Sequence, residues 1–187
     1  MSGETLTRII APVELEIRGD GRTVAGIAVP FDTPAEIRDG RDRFVEVFRR
    51  GAFTKTIAER GDRVKALAQH NHRNLPLGRV TLLRENSGGL YAELRMSKTR
   101  DADEVLELVK DGALDSFSIG FNPVRDRWSP DGSHVERLEV GLREVSLVAF
   151  PAYESARVLA VRSARQLIDP PLSPDDAKQM ILESYEK

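Results

Sequence analysis

The chain contains no cysteine. That single absence removes disulfides, thiolate nucleophiles and cysteine-ligated zinc from consideration. Charge of one sign is also lacking: 28 basic residues face 30 acidic ones, for a formal net charge of -2. A nucleic-acid-binding surface normally shows as a basic excess, so none is expected here. No apolar run approaches the roughly 18 residues that span a bilayer, and Met1–Thr7 lacks the basic-then-apolar pattern of a signal peptide. The expected setting is a cytoplasm, with neither membrane nor nucleic acid as partner. Histidines are scarce, only three, so any hydrolytic mechanism near neutral pH has few candidate bases. Aromatic residues make up 6%.

What is present reads as short strands joined by polar turns. Val13–Ile17 and Thr23–Val29 flank the turn signal Gly19-Asp20-Gly21 and predict a hairpin. Phe44–Phe48 alternates, so the basic run Arg41–Arg50 reads as an amphipathic strand and not a phosphate clamp. A helix is expected over Thr54–Arg60. Val64–Gln69 is a strand that ends at His70. Arg79–Arg84 and Leu90–Met96 form a second hairpin. Asp101–Lys110 is the clearest helix, with Val105, Leu106, Leu108 and Val109 as its buried face, capping oxygens at its start, and Gly112 as its stop. Leu114–Phe121, Leu138–Val140, Val145–Phe150 and Arg157–Arg162 complete the strands. Prolines 170, 171 and 174 mark a change of character from Ser163. Many short strands with few helices predict a mainly β, α+β fold, a barrel or sandwich decorated by helices.

Three segments invite chemistry. Gln69-His70-Asn71-His72 puts two imidazoles two positions apart at a strand end. They can be surface residues, a general base, or part of a metal site; the tripeptide His-Asn-His alone does not make a nuclease, and no metal-ligand spacing accompanies it. In Leu114–Phe121, Phe117, Ile119 and Phe121 point to one face and Ser116, Ser118 and Gly120 to the other. The apolar face anchors the strand, which suits a hydroxyl held as a nucleophile, and Gly120 leaves room for a substrate backbone; small residues packed on a neighbour explain the same pattern. Leu142–Phe150 is nearly all apolar, a central strand. Its Glu144 needs a partner if buried, either a histidine or an arginine such as Arg143 or Arg79.

Together these segments resemble the prohead serine protease family of tailed bacteriophages, relatives of the herpesvirus maturation proteases. The resemblance runs in order from about Val13 to about Arg162. It is carried by Phe48-Arg49-Arg50-Gly51-Ala52-Phe53, by His70 with Leu77-Gly78-Arg79, by Gly88-Gly89-Leu90, by Ser118-Ile119-Gly120-Phe121, and by Glu144-Val145-Ser146-Leu147-Val148 with Pro151-Ala152. It implies a herpesvirus-protease-like antiparallel β-barrel decorated by a few helices, with residues 1–162 as the protease domain and 163–187 as a tail open to self-cleavage. It implies a serine endopeptidase with Ser118 as nucleophile and His70 as base. Glu144 stands in the third position, where the herpesvirus relatives have a second histidine. His72 and Ser116 are the near alternatives by register, His134 is the spare histidine, and Arg79 is a candidate helper of the oxyanion. No cofactor or metal is required. The implied substrates are the scaffold portion of the major capsid protein and the enzyme itself, cleaved inside the immature shell, the prohead, in the host cytoplasm; a homodimer is suggested by the herpesvirus relatives alone. Two rivals stand beside this reading: a non-catalytic assembly module of the same fold, and a metal hydrolase built on His70 and His72.

Overall fold

A computed structural model describes residues 6–9, 15–39 and 42–149. The expected strand Arg157–Arg162 and the tail lie outside the described residues. In chain order the elements are β1 (Leu6–Ile9), β2 (Glu16–Ile17), β3 (Thr23–Pro30), β4 (Ala35–Asp39), β5 (Asp42–Phe48), α1 (Thr54–Arg60), a 3-10 turn (Gly61–Arg63), β6 (Lys65–Ala68), β7 (Gly78–Glu85), β8 (Gly89–Met96), α2 (Arg100–Lys110), β9 (Ser116–Trp128) and β10 (His134–Val148).

The strands join in the order β1-β9-β10-β6-β7-β8-β3-β2, with β5 also paired to β10 and β4 to β5. The mainly β, α+β expectation holds. The closed antiparallel barrel does not: among the described residues the path is open, ending at β1 and β2, and β10 runs parallel to both β5 and β6. The reason is the length of β10. Two short strands were expected, Leu138–Val140 and Val145–Phe150. Instead one 15-residue strand runs through, and register irregularities between Arg137 and Glu144 absorb the misfit against β9. A strand this long serves two parallel partners in succession on one edge, β5 along its first half and β6 along its second.

Where β5 has ended and β6 has not begun, β10 needs other partners for its backbone groups. The amide of Val140 donates to the carbonyl of Ala52 at 2.9 Å. The buried Thr56 hydroxyl on α1 donates to the Val140 carbonyl at 2.8 Å and accepts from the Leu142 amide at 3.1 Å. Helix α1 thus plugs the gap and completes the hydrogen bonding of β10 just before Glu144.

Phe53 anchors the core, with ring centroids 6.2 Å from Phe31 and 5.7 Å from Phe48, and Phe48 packs edge-on to Phe121 at 5.3 Å. On α2, Ala102, Val105 and Leu106 are buried and Val109 is half-buried, the spacing of one helical face. Leu108, expected on that face, is exposed, because 100° per residue carries it past the edge of the stripe. Thr99 occupies the N-cap without a side-chain bond to the helix.

Candidate active site

The site forms where β6, β10 and β9 lie side by side. Strand β6 follows β10 as far as the pair Ala68–Leu147, and the Gln69 amide still donates to the Leu147 carbonyl at 3.0 Å. Then Gln69 and His70 both turn left-handed, with φ of 52° and 54°. Each such non-glycine residue costs on the order of 1 kcal/mol. Two in a row curl the chain sharply and throw the His70 ring back over β10. The curl is held by the Asn71 amide donating to the Ala68 carbonyl at 2.9 Å, and by the His70 amide donating to the Ser146 hydroxyl at 3.2 Å.

Register does the rest. Ser118 on β9 is opposite Ser146 on β10, and Gly120 is opposite Glu144. Paired residues project to the same face, so Ser118, Ser146, Gly120 and Glu144 share it. The His70 ring bridges that face. Its Nδ1 lies 2.6 Å from Glu144 Oε1 and its Nε2 lies 2.5 Å from Ser118 Oγ. A proton on Nδ1 satisfies both contacts: that N–H donates to the carboxylate, and Nε2 accepts from the serine hydroxyl. The second carboxylate oxygen, Oε2, accepts from Ser146 Oγ at 2.7 Å. Glu144 is therefore a buried acid with both oxygens bound, 2% exposed, the condition under which burying a charge is tolerable.

Gly120 has a different use from the one its position suggested. A Cβ there would meet Glu144 Oε1 at 2.4 Å. The space left by the missing side chain is filled by the carboxylate, which reaches across β9 to meet His70, and not by a substrate backbone.

The three expected residues come together, and the alternatives do not. Ser116 is buried two positions along and its hydroxyl donates to Asp115. His72 is exposed and joins only the lining of the cavity beside His70. His134 opens β10, about 30 Å along the strand from Glu144, and pairs with the Ser133 hydroxyl. Neither Arg143 nor Arg79 pairs with Glu144 among the described residues. Arg79 is opposite Lys65, which in turn is opposite Glu144, so it sits two strands beyond β10 on the side away from Ser118. Among the described residues no group of three or more potential ligands is placed to hold a metal ion. Ser146 is the residue that reasoning from sequence missed. Its signal was there: two positions from Glu144 on a period-two strand, it had to share the acid's face.

Ser118 is fully buried. Strand β1 lies along the free edge of β9 with Ile9 opposite Ser118. On the other side a cavity of about 610 Å³ opens at His70 and Glu144, lined also by Lys65, Leu67, His72 and Arg143.

A hydroxyl bound to an imidazole that is itself bound to a buried carboxylate is the arrangement by which serine hydrolases activate their nucleophile. Comparison with known proteins makes the class specific. The chain belongs to the caudovirus prohead serine protease family, whose family model matches residues 11–169. It is 28% identical over 153 residues to the prohead protease of Enterobacteria phage HK97, covering 80% of this chain and 65% of that one. It is 30% identical over 87 residues to the prohead protease of Escherichia phage T5, covering 46% of this chain and 40% of that one. The chain thus spans less than two thirds of the length of either relative. Among solved structures it is similar to the bacteriophage T4 capsid assembly protease, with a TM-score of 0.57 and 11% identity, covering 81% of this chain and all of that one. At that identity the likeness is one of fold.

Proposed function

We propose that the chain is a serine endopeptidase of phage prohead maturation, with Ser118 as nucleophile, His70 as general base and Glu144 as the group that orients His70. The observation that carries this is the relay itself, 2.5 Å from Ser118 Oγ to His70 Nε2 and 2.6 Å from His70 Nδ1 to Glu144 Oε1. His70 takes the hydroxyl proton as Ser118 attacks the scissile carbonyl. Glu144 favours the imidazolium that forms. His70 then returns the proton to the leaving amine, and water resolves the acyl-enzyme. Ser146 holds the second oxygen of Glu144 and the His70 amide, so it is a positioning residue.

The substrates in this reading are the scaffold segment of the major capsid protein and the enzyme itself, cut inside the prohead in the host cytoplasm. Support comes from the family membership and from the similarity to the prohead proteases of HK97 and T5. Residues 1–162 act as the protease domain, 163–187 as a tail that self-cleavage removes, and the working enzyme is a homodimer on the pattern of the herpesvirus relatives.

Co-expression with the capsid protein gene of the same phage, read by mass spectrometry of the products, tests the assignment. Ser118→Ala and His70→Ala are each expected to lower the processing rate by about 10³-fold or more. Wild-type processing by either variant would reassign the site. Unchanged capsid assembly with no processing by the parent chain would favour the non-catalytic assembly module.

A further inference from the structure

Glu144 begins a row of directly opposed residues that crosses the sheet. Glu144 on β10 is opposite Lys65 on β6, Lys65 is opposite Arg79 on β7, and Arg79 is opposite Arg95 on β8. Opposed side chains share a face, so three cations stand in line on the face that carries the site. Like charges directly opposite one another destabilise a sheet. Compensation is partial. Arg95 pairs with Asp20, whereas Lys65 and Arg79 are exposed and pair with no carboxylate among the described residues. Neither do Arg143, beside Glu144, nor Lys98, beyond Arg95.

The row borders a cavity of about 470 Å³ lined by Lys65, Arg79, Arg95, Arg22 and Lys98, with no acidic residue in its wall. Lys65 and Pro76 also line the cavity at His70 and Glu144. The two hollows therefore adjoin, one holding the reacting groups and the other holding positive charge.

We propose that the Lys65–Arg79–Arg95 row is a substrate subsite that takes an acidic segment of the polypeptide being cut. The inference rests on the endopeptidase reading above and adds to it a preference in the substrate. Strands lie about 4.8 Å apart and Ser118 stands on β9, on the far side of β10, so the row lies about 10–19 Å from the nucleophile. An extended peptide advances about 3.3 Å per residue, which places its carboxylates about three to six residues from the scissile bond. A peptide fits better than a nucleic acid because the row is continuous with a site built to attack an acyl carbon, on a chain whose net charge is -2.

The test separates binding from hydrolysis. Full-length Ser118→Ala protein is titrated into a fluorescein-labelled deca-glutamate peptide and followed by anisotropy. Saturable, salt-sensitive binding is expected. Adding Lys65→Gln and Arg79→Gln is expected to weaken it at least tenfold, and adding Arg100→Gln on the exposed face of α2 to leave it unchanged. No saturable binding, equal loss in the Arg100 control, or tighter binding of a single-stranded DNA decamer than of the peptide overturns the subsite. The otherwise wild-type enzyme is then given peptides from a denatured bacterial lysate, and the cut sites are sequenced. Asp and Glu are expected to be enriched about three to six residues from the cut, and the double variant is expected to cut without that enrichment. Cutting without enrichment by the parent enzyme also overturns the subsite while leaving the peptidase intact. Peptide binding by the Ser118→Ala protein with no cutting by the parent supports the row and counts against the peptidase instead. The double variant should melt no lower than its parent, since a repulsion has been relieved; a lower melt with unchanged peptide binding would make the row structural.

Discussion

Gly120 shows how much of the site rests on an atom that is not there. Glu144 approaches His70 through the space a Cβ would occupy, 2.4 Å from Oε1. Gly120→Ala must therefore displace the carboxylate or bend β9. Displacements of about 1 Å in a catalytic constellation cost on the order of 10²-fold in rate. The variant is expected to fold, to keep its far-ultraviolet dichroism, and to lose about that much activity in the capsid-processing assay. Retention of full activity would mean that Glu144 does not need its present place. This use was not legible beforehand: Gly120 is visible as a small residue facing the serine side, but only register across two strands reveals what fills the gap.

At the scale of the element, the β9–β10 hairpin depends on its turn. Asp131 accepts from the Ser129 hydroxyl at 2.6 Å and from the Ser133 amide and hydroxyl at 3.1 and 2.8 Å. These bonds, led by that from Ser129, hold its pKa down at about 2. A carboxylate depressed on folding contributes stability that is present above its unfolded value near 3.8 and is lost as pH falls toward 2. Between about pH 4 and pH 2 the urea midpoint of the wild type is expected to fall more steeply than that of Asp131→Asn, which has no such proton to take up. Parallel curves would show that the turn makes no contribution. The turn was legible as Pro130-Asp131-Gly132, and so were both helices, the two hairpins and the serine strand, because each is a local pattern of alternation or capping. Three things were not. The continuity of β10 was hidden because its first half, residues 134–140, is mostly polar and its second half largely apolar, so the two read as separate strands. Strand β4 alternates only over Ala35-Glu36-Ile37-Arg38, a run too short beside Pro34 to stand out from a loop. The double left-handed curl at Gln69 and His70 contains no glycine, the residue that normally announces such a conformation. His70, Ser118 and Glu144 were reached through family likeness. Local chemistry alone left each with a plain structural alternative, since no local pattern reports which strands become neighbours.

For the whole molecule, Arg137 is the tie. It is buried on β10, with Nε 2.7 Å and Nη2 2.6 Å from Glu46 Oε1 on β5, and it also pairs with Asp126 on β9. Its guanidinium lies 5.7 Å from the ring centroid of Phe121 and 5.9 Å from that of Trp128. Removing one partner of a buried ion pair typically costs about 3–5 kcal/mol. Arg137→Met is expected to destabilise by about that amount in urea unfolding, because Glu46 keeps its burial and loses its cation. A cost below about 1 kcal/mol would mean that the packing relaxes to admit water.

The central position of β10 has a consequence for the order in which capability appears. The imidazole comes from residue 70, the hydroxyl from 118 and the acid from 144, so two ring closures of 48 and 74 residues must be completed before any proton can be relayed. Contacts so far apart in the chain are the slow ones to form. A growing polypeptide that has not yet delivered its last described strand owns the base and the nucleophile but no frame to hold them together. In the proposed reading, hydrolysis cannot begin before that strand has paired, and its onset would serve as a direct clock for the pairing.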